Sequence, residues 1–395
     1  MLEWTIIGGG IQGCTLATYL LRTGKTSVDR MAVVDPHSDP LHQWFRLTEI
    51  LKMPFLRSPA VHHIDVDPFA LRKYAQSPQG WAWSTFTFPQ ERPSLELFNR
   101  HCLHVLESIQ LKESWVKGQA AGLARRKSGW RVLLKDGREI DSQRVVLAMG
   151  LSERPFWPKW SQSLKRQGAS VFHLFSSPSP DLTELPTPVT IIGGGISAAH
   201  AAIRLSKLYP AETRLITRHC LRIHQFDSDP GWLGPKNMRS FQQINDYQQR
   251  RNLIQKARHR GSMPSDVHAE LKQAEQKGRL DIYTEEVYSA TFNKKRIHLY
   301  AKEKNNLPET GSIILATGFH TSPPGMEWLK PTVEKWSLQC HHCGYPILSP
   351  HLEWAPGLSV TGCLAELELG PVSRNIAGAR RGAERILRAN EVEPD

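Results

Sequence analysis

The stretch WTIIGGGIQG (residues 4–13) decides the fold: a short apolar run stops at glycines spaced G-x-G-x-x-G and gives way to helical spacing. Residues 2–7 read as a buried strand. Ile11, Leu16 and Leu20 fall on one face of a helix that Gly24 is placed to end. RMAVVDP (residues 30–36) supplies a second apolar strand, stopped by Pro36. Strand, glycine turn, helix and strand make a βαβ unit. Gly8 allows the tight turn, Gly10 leaves room for a pyrophosphate beside the backbone, and Gly13 lets helix and strand approach. The helix N-terminus offers free N–H groups and partial positive charge to that anion. Asp35 closes the second strand, where a carboxylate can accept hydrogen bonds from both ribose hydroxyls.

The same pattern returns as VTIIGGGISA (residues 189–198), with Gly193 and Gly195 followed by Ala198, a residue small enough for close packing. A helix is expected over about residues 196–208, with Ser197 in its first turn as a further cofactor contact, then Pro210 as breaker and the strand TRLITR (residues 213–218). Arg218 stands where the first copy has its carboxylate. A guanidinium there can pair bidentately with a ribose 2′-phosphate that an aspartate would repel, which predicts NADP over NAD. Arg214 and Arg222 share the local charge. Two more apolar strands, RVVLAMG (residues 144–150) and SIILATGF (residues 312–319), close the halves and place Gly150 and Gly318 at the nucleotides. Two dinucleotide sites in one chain imply a hydride donor and an acceptor.

The 395 residues, 40% hydrophobic and 22% charged, suit a globular protein of more than one core. No apolar run approaches the ~18 residues of a membrane span, and the first residues lack a signal-peptide pattern, so a cytoplasmic location is expected. Six irregularly spaced cysteines read as reduced thiols. A net charge of +12 suits an anionic partner. With no RNP-like motif, zinc-finger spacing or dense basic run, nucleic acid is not the expected one. Cys340 and Cys343 in LQCHHCGYPIL read as a redox pair, as zinc ligands with the intervening histidines, or as an ordinary loop pair; no metal site is predicted from them. The composition is compatible with a homo-oligomer.

The tandem turns, with LAMG and LATGF closing the halves, resemble the flavoproteins with two dinucleotide-binding domains, whose first site holds FAD and whose second holds NAD(P)H. That resemblance implies an α/β fold of two Rossmann-like domains, the second inserted in the first. Residues 1–185 would form the first part of the FAD-binding domain with a connecting segment, 186–317 the NADPH-binding domain, and 318–395 the return to the FAD domain. Within that class, WFRLTEILKMPFLRSPAVHHIDVDPFALRKY (residues 44–74), followed by RPSLELFNRHCLHVLE, is similar in order to the flavin-dependent lysine and ornithine N-hydroxylating monooxygenases. The resemblance places Arg57 where the family has a lysine, able to hold a substrate carboxylate, and brings His63, beside His62, near the reacting centre. It puts Trp44 at the cofactor. It also places Gly370 and Pro371 at the start of a C-terminal helix whose N-terminus faces the flavin pyrimidine.

The implied activity is FAD-dependent oxidation of NADPH with molecular oxygen as co-substrate, acting on a small amine-like molecule through a flavin C4a-hydroperoxide. Several departures qualify it. FDSDPGWLGPKNMRSF lacks the Asn-Glu pair of the N-hydroxylases, FLRS lacks their aspartate, and RQGASVFHLFSS lacks F-x-G-x-x-x-H although His173 holds a comparable place. A reductase passing electrons to a quinone, disulfide or other acceptor, and a flavin-binding redox sensor with little turnover, are the alternative readings.

Overall fold

The computed structural model describes residues 1–301 and 307–389. In chain order, β1 (Leu2–Ile7), α1 (Ile11–Arg22) and β2 (Met31–Asp35) form the first βαβ unit, and α2 (His42–Leu51) follows. Then come β3 (Trp115–Lys117), β4 (Ala120–Arg126), β5 (Gly129–Leu134), β6 (Glu139–Leu147) and β7 (Ser170–His173). The second unit is β8 (Val189–Ile192), α3 (Ile196–Leu208) and β9 (Thr213–Thr217), with α4 (Tyr247–Ala257), β10 (Leu280–Thr284) and β11 (Ser312–Leu315) beyond it. β12 (Glu353–Ala355), β13 (Leu358–Val360) and α5 (Ile376–Arg388) complete the elements used below.

Two sheets carry the molecule. The first runs β12-β13-β6-β1-β2-β3, with β5 on β6 and β4 on β5; the second runs β10-β9-β8-β11-β7. The path β3-β2-β1-β6 and the path β10-β9-β8-β11 are both parallel and both reverse direction beside the strand that feeds the glycine turn. That reversal opens a crevice at the carboxyl ends of the strands, where ligands of such sheets bind. Parallel strands buried on both faces need continuous apolar runs, and Ile6, Val33, Val146, Ile191, Leu215 and Ile314 are all fully buried.

The repeat is geometric as well as sequential. Trp4 pairs with Met31 in the first copy and Val189 with Thr213 in the second, so the two units share one register. Both helices begin where the turns predict, and Gly24 takes a left-handed φ of +67° just past α1. Ser265 is the first residue of the helix Ser265–Gln276, with Pro264 at the cap position.

The connecting segment does more than connect. Its strand β7 pairs in parallel with β11, at the edge of the second sheet, so 170–173 belong to that sheet and not to the first. Helix α2 also docks there: Ile50 and Leu51 join the second core, and Arg204 donates to the Ile50 carbonyl at 2.7 Å. The segment 235–257 packs away from its own sheet. Met238, Phe241 and Ile254 form a small core with Tyr345, Leu367 and Val372 of the C-terminal return.

Candidate active site

The two glycine turns are built alike and covered differently. At the first, a Cβ on Gly8 would lie 2.8 Å from the Ala148 carbonyl oxygen and one on Gly13 1.8 Å from the Gly8 oxygen, so neither position admits a side chain. A Cβ on Gly10 would meet nothing within 4 Å. The open side of Gly10, at the N-terminus of α1, is the space a pyrophosphate takes, and the residues present fit a dinucleotide there. The Asp35 carboxylate accepts from the Gly9 N–H at 2.7 Å and from the His37 N–H at 2.9 Å, which fixes it beside the turn. Trp115 lies over Gly9 and donates to the His37 carbonyl at 3.0 Å.

At the second turn Gly193 is pressed on the Ala316 oxygen (2.5 Å from a built Cβ), as Gly8 is on Ala148. Ala198 takes the place of Gly13, its Cβ 3.2 Å from that built on Gly193. The shared register sets Thr217, not Arg218, level with Asp35, since Met31 and Thr213 are equivalent. Arg218 lies one residue further on, where the chain has left the strand; it is exposed and lines the cavity described next. Among the described residues its guanidinium makes no hydrogen bond or ion pair.

A cavity of about 1030 Å³ runs from the second turn (Gly193, Gly195, Ser197) past Gly150 and Gly318 to Gln12, Met149, Cys363 and Arg374 of the first half. Gln12 ties the far end together. Its Nε2 donates to the Ser373 and Asn375 carbonyls at 3.2 Å each, and its Oε1 accepts from Thr361. Cys363, fully buried, donates to the Met149 carbonyl at 3.3 Å, and burial pushes its thiol up to about 11. It is therefore protonated at neutral pH and a poor nucleophile.

Beneath this end lies a charged cluster. The fully buried Glu366 carboxylate pairs with Arg251, with Arg258 at 2.9 Å and with Arg374 at 2.7 Å. Arg374 also reaches the Tyr345 hydroxyl at 2.9 Å, and that hydroxyl donates to the Thr321 carbonyl on the cavity wall. Burial, then the neighbouring arginines, holds the Arg258 pKa well below the usual range, so the single carboxylate keeps three guanidinium groups in place.

Other expected site residues fall elsewhere. Arg57 lines the cavity, but its guanidinium donates to the Gln225, His224 and Phe226 carbonyls, to Ser262 Oγ and to the Asp227 carboxylate at 2.7–3.0 Å. It clasps the FLRS loop to the second half and has little left for a substrate. His63 is fully buried outside the cavity. Its Nε2 meets the Pro68 carbonyl at 3.1 Å, Arg380 crowds its other nitrogen, and burial lowers its pKa to about 4. His62 is lowered to about 4 by the same cause. Trp44 donates to Asn99 at 2.8 Å and packs on Phe98, facing the first core.

Gly370 and Pro371 sit in a separate 3-10 turn, Gly370–Arg374, rather than at the start of the closing helix; α5 begins at Ile376, capped by Asn375. Gly370 (φ +75°) packs on Met238 and Trp232, and the Pro371 carbonyl accepts from Arg258. The Cys340–Cys343 pair splits between two cores. Cys340 packs on the first and Cys343 on the small one, with His341 Nδ1 3.0 Å from Cys343 Sγ. Among the described residues no three potential ligands gather to hold a metal, and no helix is long and apolar enough to cross a membrane. Cys363 and Arg374 carry no motif signal of their own, whereas Gln12 lies inside the glycine turn and Met149 inside the LAMG strand end.

Residues 5–152 match the family model for FAD-NAD(P)-binding. No curated protein matches the sequence significantly. Among solved structures, the chain is similar to the cadaverine monooxygenase of Erwinia amylovora bound to FAD, with 14% identity, a TM-score of 0.76, and 98% of this chain and 94% of that one covered. It is similar to the ornithine N-hydroxylase of Kutzneria sp. 744 with reduced FAD, NADP+ and L-ornithine, at 13% identity and a TM-score of 0.78, with 99% of each chain covered. L-lysine 6-monooxygenase from Pseudomonas syringae gives 18% identity and 0.74, over 100% of both. The fold, two largely parallel sheets each fed by a glycine turn, is therefore shared with these structures over nearly the whole chain.

Proposed function

We propose that the protein is an FAD-dependent monooxygenase that oxidises NADPH and transfers an oxygen atom from O₂ to the nitrogen of a small amine. The observation that carries this reading is the single cavity joining the second glycine turn to Gln12, Met149 and Cys363 of the first half. A nicotinamide anchored on the second turn extends along it toward a flavin anchored on the first. The three similar structures, whose names record amine or amino-acid oxygenation, share the fold over nearly the whole chain, which supports this reading.

In this reading FAD lies on Gly8, Gly10 and Gly13 with its ribose at Asp35, and NADPH on Gly193, Gly195 and Ser197 with its 2′-phosphate at Arg218. Residues 1–158 and 318–389 make the FAD domain, and β7 through β11 the NADPH domain. The bound flavin supplies the oxygen-activating chemistry; this chain supplies placement and exclusion of water. Gly150 and Gly318 give a nucleotide close backbone approach on the cavity wall, and Phe156 and Phe319 add apolar cover. Arg57 holds the two halves in register rather than taking a substrate carboxylate, which favours an amine recognised by other groups. Six unpaired cysteines suit a reducing cytoplasm.

The test is anaerobic reduction of the FAD-loaded protein by NADPH, followed by oxygen with a panel of mono-, di- and amino-acid amines, assaying hydroxylamine and peroxide. Hydroxylamine formed with one amine supports the reading. Peroxide in a one-to-one ratio to NADPH with every amine replaces it with a reductase, and failure of NADPH to reduce the flavin replaces it with a sensor.

A further inference from the structure

One strap separates the two nucleotide turns in kind. At the first turn the space beside Gly10 is open, whereas at the second a Cβ on Gly195 would lie 3.5 Å from the Gly261 Cα. Gly261 belongs to the segment 258–263 that crosses in front of α3. Its φ of +68°, with His219 Nε2 2.7 Å from a built Cβ, shows why glycine is required at this crossing. The strap is tied down on both sides of that point. The His259 ring stacks on His224 at 3.9 Å, the His259 backbone N–H donates to the Asp227 carbonyl at 2.8 Å, and the ring Nδ1 meets the Phe226 carbonyl at 3.0 Å. Ser262–Met263 pairs with Arg222–Ile223 as a two-stranded ribbon, and Ser262 Oγ accepts from Arg57.

Arg260 stands between those anchors, next to Gly261. It lines the cavity, is exposed to it, and among the described residues its guanidinium has neither an acceptor nor a carboxylate partner. Arg374 and Arg251, its like-charged neighbours, are both committed to Glu366. Burial, and then Arg374, Arg251 and Arg218, push its pKa down. A cation kept among cations on a rigid strap is unfavourable until an anion arrives, and the nearest predicted anion is the diphosphate at Gly195.

We infer that Arg260 is a ligand for the diphosphate of the nicotinamide dinucleotide, closing over the second glycine turn from the side opposite the α3 N-terminus. The division of labour follows from position. Arg218, at the end of β9, reads the 2′-phosphate and so the choice of NADP over NAD. Arg260, against Gly195, grips what both nucleotides share. Among the described residues no such strap crosses the first turn, where the backbone cradle and Asp35 face the ligand. The inference rests on the second turn being the nicotinamide-dinucleotide site, and not on the oxygenation step.

The experiment is isothermal titration of the FAD-loaded full-length protein and of its Arg260→Gln, Arg260→Lys and Arg218→Gln variants with NADP+, NAD+ and ADP-ribose at one fixed ionic strength. Arg260→Gln is expected to weaken all three by a common factor of about 10–100, the range for one charge-assisted contact. Arg260→Lys, which keeps the charge without the fork, is expected to weaken them less, and it carries the comparison if the glutamine variant does not fold. Arg218→Gln is expected to weaken NADP+ while leaving ADP-ribose within about twofold. ADP-ribose binding unchanged in both Arg260 variants, or a loss confined to NADP+, overturns the assignment. If the unaltered protein binds none of the three ligands, the reading of the second turn falls and this inference falls with it.

Discussion

Gly10 and Gly13 are three residues apart in one turn, yet the structure gives them opposite duties, and alanine at each separates these duties. A methyl at Gly13 would sit 1.8 Å from the Gly8 carbonyl oxygen, whereas C···O contacts ordinarily begin near ~3.3 Å. Helix α1 would have to retreat by about 1.5 Å from β1, in a core where Ile6, Leu16 and Val33 are fully buried. Overpacking of this kind costs about 1–3 kcal/mol, and the rigid backbone acceptor puts Gly13→Ala at the upper end, about 3 kcal/mol. The helical preference of alanine returns only ~1 kcal/mol. A methyl at Gly10 meets nothing within 4 Å, and that residue has φ −81°, which alanine adopts freely. Stability of Gly10→Ala should stay within about 1 kcal/mol of the parent, with only N-cap preference at stake. The methyl would, however, occupy the approach of the pyrophosphate and displace one or two charge-assisted N–H contacts, weakening FAD by about 10–100-fold. Urea unfolding of the flavin-free proteins gives the first quantity and quenching of FAD fluorescence the second. A Gly10→Ala protein that unfolds as easily as Gly13→Ala, or that binds FAD as tightly as the parent, refutes this division of roles.

Arg218→Ala should weaken NADPH by about 1.5–3 kcal/mol and NADH hardly at all, and equal losses measured by titration would remove the 2′-phosphate from that residue. Glu366→Gln leaves Arg251, Arg258 and Arg374 without their shared carboxylate and should cost about 3–5 kcal/mol in chemical denaturation; a loss below ~1 kcal/mol would show that solvent already screens the cluster. His63, His173 and His200 are buried, with pKa values pushed down from 6.5 to about 4 by burial. Their folded forms stay neutral while the unfolded chain takes up protons below pH 6.5, so the stability they contribute is complete above that pH and is lost as pH falls toward 4. Urea midpoints should therefore drop steadily between pH 6.5 and 4, and His200→Leu should flatten the slope by up to ~1.4 kcal/mol per pH unit. A flat profile would mean that these imidazoles reach solvent.

Taken by itself, the sequence determined the two βαβ units, because glycine spacing and apolar runs are local rules obeyed within some thirty residues. Gly8, Gly13 and Gly193 stand where a side chain would strike backbone, and no distant part of the chain is needed to predict it. Tertiary structure decided what surrounds those turns. Arg57 has the composition of a substrate ligand, but the loop 224–227 brings it enough carbonyl and carboxylate acceptors to consume its donors. His63 reads as a loop histidine until the C-terminal helix lays Arg380 over it. β7 looked like linker because four residues at a sheet edge carry too little pattern to declare a partner more than a hundred residues away. Arg260, Arg374, Cys363 and Gln12 meet along one cavity through contacts that span much of the chain, and such meetings depend on packing between domains, which no local periodicity encodes.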